Sequence, residues 1–379
     1  MKNDPLKFFL IAGEPSGDIH GANLIAEIRK IEPNSSFMGH GGDKMKDAGM
    51  KLIHHINVLS VMGFLEVLKY LPRFLKIMGE TIKAIERSQP DRVILIDYPG
   101  FNLRLAKNIS FLNIPISYFI LPQSWAWKEK RVEILKKYID QSISIFSFEQ
   151  GWYKNKGLDT DYVGHPFADI NHLDESSEEY YKRHDLNISK PILVLLPGSR
   201  QQEINRHWSI ILDATYKLLS INEDIQVIIG KSKNVFLEPI PDNFKIEENS
   251  KKAIISATAA ITCSGTATLE CAVEDTPMVV CYKLSTISWY IAKILSKVKY
   301  SSIVNLILNK EVVPELLQNK MNSKNIVDKI IPLLDSKSFK RKKMLSNFSE
   351  IRKTLGIPGF YERAASLIIS KTKIFDNHK

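Results

Sequence analysis

The sequence predicts an α/β protein of two Rossmann-like domains whose parallel sheets face a common cleft, and three observations predict it. Its 379 residues exceed the roughly 250–300 at which one hydrophobic core stops growing. Short β-branched runs at 8–12, 92–96, 116–121, 192–196, 226–229, 259–262 and 278–282 are mostly continuously apolar, as parallel strands buried on both faces must be. Helical patterns such as 22–31 and 210–220 lie between them and complete βαβ units. A polar, charged stretch at 172–190 separates the two sets of strands and marks the domain boundary.

Composition narrows the partners. A formal charge of +10 points to an anionic partner and leaves nucleic acid, acidic lipid and a phosphorylated substrate open. Cys263, Cys271 and Cys281 make an odd count with no C-x-x-C pair, which fits a reducing compartment. The apolar run 8–12 is too short for a secretory h-region, and Gly13, Glu14 and Asp18 follow it. No stretch reaches the ~18 apolar residues of a spanning helix, so the expectation is a soluble or peripheral protein.

In open α/β sheets ligands bind beyond the carboxyl ends of the strands, so the loops that follow the strands carry the chemistry. After the first strand comes Gly13-Glu14-Pro15-Ser16-Gly17-Asp18-Ile19-His20-Gly21. Its spacing matches neither a dinucleotide fingerprint nor a P-loop. Its carboxylates would repel a pyrophosphate, so it reads either as a loop for sugar hydroxyls or as a tight turn with Asp18 favouring a helix start. The strand 92–96 ends in Asp97-Tyr98-Pro99-Gly100, and Asp97 is a candidate base or a turn cap. The next strand leads into Pro122-Gln123-Ser124-Trp125-Ala126-Trp127-Lys128, where the tryptophans either stack on a sugar or acyl chain or pack in the core.

In the second half, Gly198, Ser199 and Arg200 precede a helix, and backbone amides with one guanidinium make a diphosphate cradle. Ser264, Gly265 and Thr266 open another helix, with Glu270 placed to reach ribose hydroxyls. Two such loops after buried strands point to a nucleoside diphosphate. Metal signals are weak: Asp159-Thr160-Asp161 precedes a strand and lies at the wrong sheet edge, and His54 and His55 lack zinc spacing. The segment 58–85 is rich in Val, Leu, Phe and Met, carries Lys69, Arg73 and Lys76, and is broken by Pro72. It reads either as a core helix pair or as a surface that lies on a bilayer.

Taken together, the motifs resemble the lipid-A-disaccharide synthase family of Gram-negative bacteria. The resemblance runs along essentially the whole chain: AGEPSGDIHGANLI at 12–25, VMGFLEVL at 61–68, IDYPGFN at 96–102, WAWKEKRV at 125–132 and VGHPFAD at 163–169. It continues through LLPGSRQQEI at 195–204, SGTATLECA at 264–272, TPMVVCYK at 276–283, VPELLQ at 313–318 and ERAA at 362–365. What the resemblance implies is a GT-B fold: an acceptor domain at 1–175, a UDP-sugar domain at 176–355, and a helix at 356–379 that returns to the first domain. The implied reaction joins UDP-2,3-diacylglucosamine to 2,3-diacylglucosamine 1-phosphate, with inversion, without a metal or other cofactor, and with release of UDP.

On this resemblance Asp97 falls at the proposed base and Glu14, with Gly17, in the acceptor-side loop. Ser124 and Trp127 fall in the substrate-binding segment, and Arg200 and Glu270 on the nucleotide side. Asn305 aligns with a nucleotide-contacting asparagine. The implied location is the cytoplasmic face of the inner membrane, docked through 58–85, with no nucleic-acid partner and a homodimer left open. The chain departs from the family at Gly100, where a second Asp is common, at Val304, where Pro is usual, and at Gln123 before the Trp pair. A UDP-N-acetylglucosamine epimerase or hydrolase of the same fold would share the second-half cradle but not the basic, amphipathic acceptor side. The transferase that glycosylates the lipid-linked peptidoglycan precursor differs at the loop 13–21, and a non-catalytic nucleotide sensor has no use for Asp97.

Overall fold

The computed structural model describes residues 5–59, 67–169, 175–232, 235–296 and 298–376. The chain forms two compact units, Met1–Asp169 with Leu355–Lys379, and Ile170–Thr354.

The first unit holds β1 (Lys7–Ile11), β2 (Ser36–Gly41), β3 (Lys51–His55), β4 (Arg92–Ile96), β5 (Ile116–Phe119), β6 (Gln141–Ser144) and β7 (Asp161–Tyr162). They form one sheet in the order β3-β2-β1-β4-β5-β6-β7, parallel throughout. The second unit holds β8 (Ile192–Leu196), β9 (Gln226–Gly230), β10 (Lys245–Glu247), β11 (Ala259–Cys263), β12 (Met278–Tyr282) and β13 (Glu315–Leu317). Its order, β10-β9-β8-β11-β12-β13, is also all parallel. The central strands β4, β8 and β11 are buried at every residue, which explains why all but Arg92 and Thr262 in them are apolar.

The strands that composition hides have specific physical reasons. In β2, Gly39 adopts φ +141°, and a Cβ there would lie 1.9 Å from the Leu10 carbonyl oxygen, so only glycine lets β2 pair with β1. The polar β6 is buried chiefly through the paired side chain of Gln141. Gln141 Oε1 accepts from Ser117 Oγ at 2.8 Å, Gln141 Nε2 donates to Asp161 at 3.0 Å, and Arg92 donates to Ser117 at 3.1 Å. This network leaves Asp161 as a structural acceptor.

The C-terminal helix Phe360–Asp376 belongs to the first unit. Phe360, Ala364, Ala365, Ile368 and Ile369 join the core of Phe8, Leu24 and Phe119, and Phe360 stacks on Phe119 at 5.5 Å. Arg92 Nε donates to Thr372 Oγ1 at 2.7 Å and ties the helix to the buried polar network.

Each sheet has a switch point, where the chain winds outward in opposite directions. In the first unit it lies between β1 and β4, so the Glu14 and Asp97 loops emerge side by side. In the second it lies between β8 and β11, and brings together the loops of Gly198–Arg200 and Ser264–Thr266.

Candidate active site

Asp97 ends β4 in the left-handed region at φ 44°, and Tyr98 follows at φ 46°. Two such non-glycine residues in a row cost of order 1–3 kcal/mol each and persist only where the surroundings impose them. Here they do. The Asp97 amide donates to Phe119 O at 3.0 Å, while its carbonyl accepts from Tyr118 Oη and Asn102 Nδ2, both at 2.7 Å. The Tyr98 ring fills the space beside Gly13, where a Cβ would come within 2.3 Å of it. Gly13 therefore lets the β1 loop close against the Asp97 turn.

The Asp97 carboxyl is half-buried and lines a cavity of about 190 Å³ with Gln123, Trp127, Arg131, Phe146 and Glu149. Burial, then the charge of Glu14, raises its pKa to about 6, against the Tyr98 amide and Arg131. Glu149, beneath the cavity, is raised to about 7, chiefly by burial. It accepts from Trp125 Nε1 at 2.9 Å and from the Ile145 and Phe146 amides at 3.2 and 3.3 Å.

The other predicted first-half residues sort clearly. Glu14 is exposed beside Asp97. Asp18 is buried and caps the helix Asp43–Asp47 of another segment, accepting from Gly42, Lys44 and Met45 amides at 2.7, 3.1 and 3.0 Å. It is unavailable to a sugar, which corrects that part of the loop reading. Gly17 is buried, its Cβ position 3.1 Å from Ala12 Cβ, so it serves helix–strand packing. Of the tryptophans, Trp125 is core and Trp127 lines the cavity. Ser124 is wholly buried and outside the cavity lining, a second correction to the expectation of substrate contact.

In the second unit Gly198, at φ +131°, lies against Glu203. The Glu203 carboxylate accepts from the Ser199 and Arg200 amides at 3.1 and 3.2 Å and from Tyr282 Oη at 3.1 Å. The amides expected to cradle a diphosphate are thus occupied by the helix's own capping carboxylate. The cationic capacity of this loop rests on the Arg200 side chain, 72% exposed. His207 and Cys263 fix the loop from below. Lys283 N donates to His207 Nε2 at 3.0 Å, which leaves Nδ1–H to donate to Pro197 O at 3.1 Å, where the Cys263 thiol also donates at 2.8 Å. Burial keeps this thiol well above its ordinary pKa, so it is unreactive.

Ser264 Oγ donates to Ser301 O at 3.0 Å, and Gly265, at φ +155°, caps the helix that Thr266 begins. Glu270 is half-buried and raised by burial, against the charge of Lys251. Asn305, expected to contact the nucleotide, lines a cavity with Trp289, Tyr300 and Glu315, but its side chain is engaged by the fold. It is wholly buried, and its amide is saturated: Nδ2 donates to Val313 O at 2.9 Å and Glu315 Oε1 at 2.8 Å, and Oδ1 accepts from Val312 and Val313 amides at 2.7 and 2.9 Å. Its side-chain amide has all four hydrogen-bonding positions filled by the protein. Glu315 completes the network by accepting from Ser301 N and Ser302 N at 2.8 and 2.9 Å.

Sequence reasoning missed Glu203, His207, Glu315 and Arg131. Glu203 sits three residues after Arg200, the spacing of a capping box, which was the available signal. Among the described residues no group of His, Cys, Asp or Glu could hold a metal ion.

Two parallel switch-point sheets, each with polar loops at its carboxyl edge, define two Rossmann-like domains of the GT-B fold, which glycosyltransferases and sugar epimerases share. The Neisseria meningitidis UDP-GlcNAc 2-epimerase, solved with UDP-GlcNAc, shares this fold at TM-score 0.64 and 11% identity, covering 97% of this chain and 99% of its own. The glycotransferase of kitacinnamycin does so at TM-score 0.66 and 12% identity, covering 97% and 99%. Fold alone does not choose between these chemistries. The sequence family does. The Lipid-A-disaccharide synthetase family model matches residues 8–357. Lipid-A-disaccharide synthases of Myxococcus xanthus and Syntrophus aciditrophicus are 34% and 35% identical, each over 97% of this chain and 98% of their own. The chain belongs to the lipid-A-disaccharide synthase family, the glycosyltransferases that form the lipid A disaccharide.

Proposed function

We propose that the enzyme transfers 2,3-diacylglucosamine from UDP-2,3-diacylglucosamine to 2,3-diacylglucosamine 1-phosphate, with inversion and without a metal. The observation that carries this reading is Asp97, a carboxylate clamped at a strand end on the rim of a cavity. A pKa near 6 leaves it ionised at neutral pH and more basic than an ordinary aspartate. The acceptor hydroxyl gives its proton to Asp97 as its oxygen attacks the anomeric carbon. UDP leaves from the opposite face with the bonding electron pair. Mass spectrometry of products in EDTA, with and without the acceptor, tests the reading. Disaccharide 1-phosphate formation supports it, whereas hydrolysis alone, or a requirement for added magnesium, overturns it.

Arg200 is the nucleotide-side cation in this reading. Arg200→Ala removes a charge-assisted hydrogen bond of about 1.5–3 kcal/mol, so UDP affinity falls roughly ten- to hundredfold by calorimetry. Undisturbed UDP binding rejects the assignment.

The same reading places the enzyme on the cytoplasmic face of the inner membrane. No helix among the described residues is long and apolar enough to cross a membrane. Of the segment 58–85, residues 60–66 and the side chains of 67–71, Lys69 included, lie outside the described residues. On the described part of the helix Val67–Ser88, Arg73, Leu75 and Lys76 are exposed while Ile77, Met78 and Ile85 are buried. Each basic residue at an anionic surface contributes about 1 kcal/mol. Replacing Lys69, Arg73 and Lys76 with Gln weakens co-sedimentation with anionic vesicles and lowers its salt sensitivity; unchanged co-sedimentation counts against docking here.

A further inference from the structure

Beside the Asp97 cavity stands a group of cations that the reaction as described does not use. Arg131 is half-buried and lines the cavity. Its guanidinium lies 5.0 Å from the centroid of the Trp127 ring, and Lys128 Nζ lies 4.4 Å from the same centroid. One indole thus holds two cations together, a stabilising arrangement for each cation but not for their mutual repulsion. Arg104, on the helix Pro99–Ile109, lies over the Phe74 ring at 5.2 Å. Burial first, and then the charges of Arg131 and Arg104, lower the Lys128 pKa.

Two acids of the same segment have basic partners of their own. Glu129 pairs with Lys156 at 2.6 Å and Glu133 with Lys136 at 3.6 Å. Neither Arg104 nor Arg131 has an ion-pair partner among the described residues. Asp97, ionised at neutral pH, and Glu149 share the cavity lining with Arg131, and the Asp97 charge offsets only part of the three cations. Positive charge gathered on aromatic faces, with Arg131 in the cavity lining and Lys128 on the same indole, is complementary to a compact polyanion. A phosphomonoester carries close to two charges at neutral pH and offers three acceptor oxygens to guanidinium forks, which a carboxylate does not.

We propose that Arg131, Lys128 and Arg104 form the subsite for the phosphomonoester of the sugar acceptor. This rests on the reading of Asp97 as the base for that acceptor. It makes the phosphate a positioning handle, which orients the hydroxyl toward Asp97 and selects phosphorylated over unphosphorylated acceptors.

The test compares kcat/KM for 2,3-diacylglucosamine acceptors with and without the 1-phosphate, in the full chain and in Arg131→Gln and Arg104→Gln. Loss of the phosphate should cost the unmodified enzyme about ten- to hundredfold. It should cost Arg131→Gln only a few-fold and Arg104→Gln an intermediate amount, with UDP affinity unchanged in both. The same phosphate dependence in all three proteins overturns the subsite, and so does indifference of the unmodified enzyme to the phosphate. Calorimetric titration with glucosamine 1-phosphate, against glucosamine, reads the subsite apart from catalysis. Tighter binding of the phosphorylated sugar that Arg131→Gln weakens about tenfold supports it even where no transfer occurs, an outcome that would overturn only the reading of the reaction. Equal binding of both sugars overturns the subsite. Arg104 is exposed, so its variant carries the test if Arg131→Gln melts early.

Discussion

Asp97→Asn is expected to lower kcat by about 10²–10⁴-fold while UDP affinity holds. The substitution keeps the shape of the side chain, and the clamp on Asp97 runs through its main chain, so Tyr118, Asn102 and Phe119 keep their bonds. Stability moves the other way. A carboxyl whose pKa is raised on folding destabilises the fold above that raised value, and the penalty disappears below the ordinary aspartate range. The Asn variant should therefore melt at or slightly above the unmodified protein at pH 7. In the unmodified enzyme kcat/KM should fall as pH drops through about 6, because the base must be ionised to accept a proton. Burial raises Glu149 to about 7 and the Asp97 charge adds to it, so the two carboxyls titrate as a coupled pair. A variant that keeps most of its turnover would make Glu14 or His20 the next base to test. A variant that loses its fold would make Asp97 a turn residue and no more.

The parts of the fold legible in the sequence are those where the hydrophobic effect acts alone. Strands β4, β8 and β12 appear in the sequence at their true limits because each is dominated by a run of at least four buried apolar residues. Strands β2 and β6 escape the same rule. SFMGHG is shaped by a close approach to the Leu10 carbonyl, and QSIS by hydrogen bonds to Ser117 and Asp161. Both depend on partners distant in sequence, which no local pattern reports.

The site divides along the same line. Position after a strand is readable, so Asp97, Glu14, Trp127 and Arg200 stand at carboxyl edges as their loops predict. Which polar group is free and which is already satisfied is not readable. Asp18 and Glu14 stand four residues apart, yet Asp18, in the first turn of the helix Pro15–Ile31, is consumed by three amides and Glu14, its N-cap, is exposed. Trp125 and Trp127 differ in the same way, because Glu149 is there to accept from one of them. Arg131 drew no attention in the sequence, since its importance comes from the cavity wall it shares with Asp97.

Asn305 provides the sharpest separation between a ligand contact and a structural residue, and Asn305→Ala should have a large effect on stability. The substitution strips partners from the amides of Val312 and Val313, the Val313 carbonyl and one Glu315 oxygen, in a pocket where Asn305 and Val313 are wholly buried. Each orphaned buried group costs about 1–3 kcal/mol, partly recovered by relaxation, so a total of roughly 3–5 kcal/mol is expected. In a unit of this size each kcal/mol lowers Tm by about 2–4 °C, so the transition of the second unit should fall by roughly 10 °C. UDP affinity should fall with it, because Glu315 also holds Ser301, whose carbonyl accepts from Ser264. Arg200→Ala should give the opposite pattern, with weakened UDP binding and an unmoved Tm, since that side chain is exposed. Differential scanning fluorimetry and calorimetry on the two variants read both axes. An Asn305→Ala protein that melts normally yet binds UDP poorly would return Asn305 to direct nucleotide contact, and would require its amide to exchange the Val313 and Glu315 bonds for the ligand's.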